Sequence, residues 1–339
     1  DHDNSALAVA RGDGDPAEFS HWLADGQGRV VGGLLVDAYD GGNYASIVVD
    51  STGTAHAAHW DSRDNGEDGG GRLMYAAGSG GESWIAEQVH GSDDGAFDVG
   101  RFASIGLAGS TPLIAYQDST NGDLRIARRT GTDTWETERI DEGEILAQGD
   151  DDDSADSTPA PPAGPAEVGA YADLLVGADG TVHVAYYDAS NGDLKIASGG
   201  WGDWDVSVAY AEGDVGQWPS LYEEAGTIYV AFQDVGNYDL LFGAVVGGHV
   251  TPEIVDGGDF RGADSSLTFV GGEPAIMYQD AVNNDAILAR REGGVWTLTQ
   301  HMTNGALGFH NNLAAGSDGR LNFAGYNHTT HNIEFQRFE

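Results

Sequence analysis

The chain has 339 residues, with 15 basic against 55 acidic side chains, a formal charge of −40 and no cysteine. Those figures exclude disulfides, thiolate metal sites and thiol nucleophiles, and they disfavour nucleic acid, whose phosphates need a basic footprint. No apolar run approaches the ~20 residues of a membrane-spanning helix.

Lys195 is the single lysine, and Asp outnumbers Glu by 38 to 17. Such a surface stays hydrated where salt screens its self-repulsion, so a salt-exposed protein is expected. The expected location is extracellular or at the cell surface, with any signal peptide already removed.

From the N-terminus, residues 6–37 carry two strand-like segments, 6–10 and 30–37. A repeat then begins. Its anchor is an aspartate after an apolar strand: Asp61, Asp118, Asp188, Asp234 and Asp280, with Asn327 last. The last three steps are 46, 46 and 47 residues. The longer second step contains an acidic, Pro-rich tract at 142–165, expected to be a solvated excursion. The first copy is lengthened by the Asp-rich 64–71.

Within a copy the pattern resolves into four strands. In the third these are 172–176, 182–187, 194–197 and 204–208, with Asn191-Gly192 supplying a tight hairpin. The second strand is apolar on both faces, as in a sheet packed between two others, and no 3.6-residue period is sustained. Four strands per repeat of this length, six times over, predict a single all-β domain over 1–339. It would be a six-bladed β-propeller of four-stranded antiparallel blades. The last copy ends after its third strand, so an N-terminal strand from 6–37 is expected to pair with 333–338 and close the ring.

Copies of the form Val184-Ala185-Tyr186-Tyr187-Asp188 followed by Asn191-Gly192-Asp193-Leu194 resemble the repeat of secreted bacterial β-propeller proteins. They are also loosely similar to BNR and sialidase-like propellers. The resemblance spans roughly residues 30–339 and implies architecture rather than activity.

Three positions before the first-strand Leu or Ile lie Tyr44, Phe102, Tyr171, Trp218, Asp264 and His310; one position before lie Ser46, Ser104, Asp173, Ser220, Ser266 and Asn312. Both rows are placed at the mouth of the propeller, an aromatic rim above small polar groups. That combination suits a sugar ring, whose C–H face stacks while its hydroxyls bond. The alternative is that the aromatics pack between blades. The anchor aspartates are either Asx-type turn residues or calcium ligands, and calcium is the one candidate cofactor.

The last copy departs from the repeat. It has Gly325 where others have Tyr or Phe, and it carries His310, His328 and His331; His59 occupies the corresponding aromatic position in the first copy. Four histidines at one seam suit acid–base or metal chemistry. The segment around His310 is similar to the His-Asn element of propeller polysaccharide lyases, which implies a proton-abstracting histidine. A sialidase would need three arginines, for which Arg63, Arg101 and Arg261 are candidates, but no Asp-box occurs. The first expectation is a non-catalytic propeller binding carbohydrate or another extracellular ligand. The alternatives are a polysaccharide lyase or glycoside-active enzyme, and an adhesive module for a protein partner.

Overall fold

The computed structural model describes residues 7–12, 19–25, 29–31, 34–36, 40–62, 70–79, 84–92, 96–144, 166–301 and 303–338. Every regular element in them is a strand. Two short hairpins come first, β1 (Leu7–Gly12) with β2 (Phe19–Asp25), and β3 (Arg29–Val31) with β4 (Leu34–Val36). Six antiparallel blades follow. Blade one is β5 (Asp40–Val49), β6 (Ala55–Ser62), β7 (Gly71–Gly78) and β8 (Ile85–His90). Blade two is β9 (Val99–Ala108), β10 (Thr111–Asp118), β11 (Asp123–Gly131) and β12 (Thr134–Asp141). Blade three is β13 (Val168–Val176), β14 (Val182–Asp188), β15 (Asp193–Gly200) and β16 (Asp203–Tyr210).

Blade four has β17 (Val215–Glu224), β18 (Thr227–Asp234) and β19 (Asp239–Val246), whose outer partner is split into β20 (His249–Val250) and β21 (Glu253–Asp256). Pro252, which has no N–H to donate, sits at the break. Blade five is β22 (Arg261–Val270), β23 (Glu273–Asp280), β24 (Asp285–Glu292) and β25 (Val295–His301). Blade six has three described strands, β26 (Phe309–Ala315), β27 (Leu321–Asn327) and β28 (Asn332–Phe338). The chain is thus an all-β, six-bladed propeller with its first strands innermost, β5 against β9, β9 against β13, and so on to β22 against β26.

The second strand is buried on both faces, and the reason is visible in blade two. Ile114 and Tyr116 pack toward blade one, Leu113 and Ala115 toward blade three. The same division recurs through the interface of blades five and six, where Met277 and Leu288 meet Leu313 and Phe323. Tyrosines on these strands also tie blades at their outer ends. Tyr186 donates to Asp141 at 2.6 Å and Tyr278 to Asp256 at 2.6 Å, each reaching the last strand of the preceding blade.

Closure differs from expectation. Among the described residues no strand pairs with the outer edge of β28; β1 pairs with β2, and β3 with β4. The first hairpin instead lies on blade one, where Leu7, Val9 and Ala24 bury against Ala57 and Ala76. Pairing within a hairpin closes a short loop, whereas pairing with β28 spans the whole chain, so local pairing has the smaller entropic cost. The tract at 142–165 lies outside the described residues from 145 onward, as does the 64–71 loop up to residue 69.

Candidate functional site on the axis

Each innermost strand contains the same irregularity. Ala170 pairs with Tyr187 and Asp173 with Ala185, three steps on one strand against two on the other. The equivalent slip separates Asn43 from Ser46, Arg101 from Ser104, Gln217 from Ser220, Ala263 from Ser266, and Phe309 from Asn312. Each slip adds one residue to the strand and makes a β-bulge, which twists the strand and re-aims a side chain; in blades one to five a second slip directly precedes it.

Two residues at each of these sites have left-handed backbone. The first is a glycine: Gly42, Gly100, Gly169, Gly216, Gly262 and Gly308, with φ from 85° to 108°. At Gly216 this is obligatory, since a Cβ would lie 2.6 Å from the Cα of Leu194 in the preceding blade. The second, two residues on, is Tyr44, Phe102, Tyr171, Trp218, Asp264 or His310, with φ between 46° and 55°. A side chain in this region costs roughly 1–2 kcal/mol per residue, so six in one ring hold considerable strain, of the kind that gathers at ligand clamps and active sites.

Four of the six form a continuous aromatic arc. Tyr44 meets Phe102 at 4.6 Å between ring centroids, Phe102 meets Tyr171 at 4.7 Å, and Tyr171 meets Trp218 at 4.6 Å, all tilted. Tyr44 remains 41% exposed and the next three are half-buried. The rings therefore pack on one another across blade boundaries and also present surface, so the two readings of the rim coexist in one arrangement.

Asp264 and His310 complete the ring with polar groups. Burial pushes the Asp264 carboxyl above the ordinary carboxylate range, while the charges of His310 and His328 and a backbone N–H donated by His310 partly oppose that rise. Asn311 donates to the Asp264 carbonyl at 3.0 Å, fixing the junction of the two blades.

The second polar row has a different task. Ser46 accepts the N–H of Ile105, Ser104 that of Leu174, Asp173 that of Leu221, Ser220 that of Leu267 and Ser266 that of Leu313, at 2.7–3.2 Å. These side chains link each innermost strand to the next. Asp173 also accepts from Ser104 at 3.2 Å, and desolvation raises its pKa, partly offset by these donors. Asn312, the sixth member, is exposed.

The histidines divide. His310 and His328 both act on Asp264. His328 packs edge-on against Phe309 and Tyr326, and His331 meets the Tyr326 hydroxyl at 3.3 Å. His59 is fully buried in blade one, 3.8 Å from Asp61. What unites His310 and His328 is thus a carboxylate from blade five. The space beside Gly325 is filled by the Phe323 ring, which a Cβ there would meet at 2.5 Å.

The anchor residues cap their own loops. Asp118, Asp188, Asp234 and Asp280 each accept from the backbone and side chain of the asparagine three residues on, and Asn327 accepts from Thr329 and Thr330. Their lone pairs are engaged in Asx turns, and among the described residues no cluster of three metal-ligating side chains forms. The arginines are likewise committed: Arg101 bonds Asp98 at 2.9 Å, and Arg261 pairs with Asp280 and, at 3.4 Å, with Asp256. Arg63 lies outside the described residues.

In sequence the bulge looks like a loop, because a glycine interrupts the apolar alternation. The signal was present as a glycine two residues before every member of the axial row.

No family model matches the chain, and no curated protein matches it in sequence. Solved structures share its architecture. A protein of unknown function from Dyadobacter fermentans superposes with TM-score 0.59 at 14% identity, covering 87% of this chain and 93% of its own. A Hadza microbial sialidase gives 0.56 at 12%, covering 88% of this chain and 65% of the sialidase. A GH93 α-L-arabinofuranosidase of Fusarium graminearum, solved with arabinobiose, gives 0.54 at 11%, covering 87% and 92%. At these identities the likeness is one of fold.

Proposed function

We propose that this chain is a carbohydrate-recognition propeller whose ligand sits over the axis. The observation that carries the reading is the ring of six left-handed residues, four of them aromatic, held in position by a bulge in every innermost strand. Partly exposed ring faces beside a carboxylate and an imidazole offer the stacking and hydrogen bonding that a sugar uses. The sialidase and arabinofuranosidase neighbours make a saccharide ligand a natural choice for this architecture. Secretion, which the resemblance to secreted propellers implies, would place the protein among such ligands.

The test is a glycan array followed by titration of the hits. Trp218→Ala and Tyr171→Ala should each weaken binding about tenfold or more, while Ser220→Ala, which removes only an inter-blade link, should leave it within twofold. Equal losses in all three variants would defeat the axial site.

One observation favours a second reading, an enzyme acting on polysaccharide. Asp264, with its raised pKa beside two histidines, is suited to proton transfer. Incubation with neutral and uronic polysaccharides, followed by reducing-end and unsaturated-product assays, decides it. Turnover that Asp264→Asn abolishes would establish the enzyme; no turnover on any substrate leaves the binding module.

A further inference from the structure

The junction of blades four and five breaks the repeat twice at one place. In the loop between second and third strands, the residue before the third strand has left-handed backbone in five blades, and it is Gly122, Gly192, Tyr238, Asn284 and His331 in turn. Four of these are residues that suit that conformation or carry a small polar head; Tyr238 is a large aromatic that does neither. The loop leading into the innermost strand shows the second break. Asp98, Glu167, Asp214, Phe260 and Ala306 are equivalent, since the carbonyl of each accepts an N–H from the following anchor loop at 2.8–3.2 Å. Of these five, Phe260 alone has positive φ, 54°.

The two exceptions meet. The rings of Tyr238 and Phe260 lie 4.1 Å apart at 33°, and they are 38% and 46% exposed. Phe260 also accepts the N–H of Ala281, which brings in Val282, 55% exposed. Two unfavourable backbone conformations therefore support an apolar platform open to solvent, where the other blades carry Gly, Asn or His in the first position and Asp, Glu or Ala in the second.

The geometry points to a second sugar-stacking subsite at Tyr238 and Phe260, so that the ligand is an extended neutral polysaccharide running from the axial ring to the junction of blades four and five. The inference rests on the carbohydrate reading above and adds the ligand's length and charge. Phe260 directly precedes β22, and Asp264 lies four residues further along the same chain, so the two sites are at most about 13 Å apart at the usual rise per residue. Neutrality follows from charge. The platform is flanked by Asp239 and Asp259, its nearest cation Arg261 is held by Asp256 and Asp280, and the protein as a whole carries −40. A uronic or sialic acid would meet repulsion with no free counter-charge.

The experiment measures binding of a soluble neutral polysaccharide panel (arabinan, xylan, glucomannan), of the corresponding disaccharides, and of polygalacturonate as the anionic control. Tyr238→Gly installs the residue that blades two and three use and relieves the backbone, so folding is preserved. Phe260→Asp installs the residue of blades two and four. Each should weaken polysaccharide binding five- to tenfold and leave disaccharide binding unchanged, with the melting temperature of Tyr238→Gly equal to or above wild type. If both variants bind polymer normally while Trp218→Ala does not, the platform is overturned and the axial site stands. If neutral glycans bind nothing, or the variants instead abolish self-association, both the platform and its ligand class fall. Preferential binding of polygalacturonate overturns the neutral ligand.

Discussion

Phe102 in blade two and His310 in blade six occupy the same slot, two residues after a left-handed glycine, with φ of 53° and 52°. Around Phe102 the slot is filled by rings that touch the rings of both neighbours. Around His310 the neighbour is Asp264, and ring contact gives way to charge. The backbone is common to the two regions and the chemistry is not. A repeat can therefore hold a strained frame in every blade while selection changes what two blades present on it, and the departures from the repeat are where specificity is expected to lie.

The largest effect should come from breaking the frame itself. Gly216→Ala places a Cβ against the Leu194 backbone at 2.6 Å in a conformation that glycine alone tolerates. It should cost about 3 kcal/mol or more, seen in calorimetry as a fall of at least about 4 °C in a chain of this length. Gly308→Ala, blocked by the Asp285 carbonyl at 2.7 Å, should fall comparably. A mild effect at either site would show that the two regions do not share one frame.

Salt acts on both regions alike and so sets the background for local effects. With −40 charges, the melting temperature should climb by several degrees between low and molar NaCl as carboxylate repulsion is screened. A flat curve would argue against adaptation to a saline setting.

Acidity separates the two regions. Burial raises the Asp264 pKa, so the folded protein keeps a proton that the unfolded chain has already released. Stability should then decline as pH rises from about 4 through the raised value. Asp264→Asn should remove that share of the decline, flattening the melting temperature against pH, whereas Phe102→Leu should leave its shape intact. An unchanged profile in Asp264→Asn would mean the carboxyl is better solvated than its packing suggests.

The smallest effect concerns the inter-blade links. Blade three uses Asp173 where its neighbours use Ser104 and Ser220. Asp173→Ser keeps an acceptor for Leu221 and removes a half-buried carboxylate, so it should hold or raise the melting temperature by about 1–2 °C at neutral pH. A clear loss would indicate that the bond from Ser104 is needed as well.

The blade count, the innermost position of each first strand and the Asx anchors were all legible in the chain. Tyr116, Tyr186 and Tyr278 recur at one offset, and each lies buried between blades. The bulge was not legible as such, because glycine and a left-handed residue interrupt apolar alternation in the way a loop does, while the backbone continues to pair on both sides. Ring closure was also beyond the sequence, since 6–10 and 30–37 both read as strands until tertiary packing chooses their partners.

Six copies of a unit whose hydrophobic faces can be buried only by neighbouring copies are enough to specify a propeller. The sequence also marked Tyr44 and Ser46, and their equivalents in each copy, as residues two apart, which a regular strand would put on one face. Only the tertiary structure separated them. The extra residue in each bulge shifts the register between the two rows, leaving the first with its rings and charges at the axis and sending five members of the second, from Ser46 to Ser266, to bond the next blade.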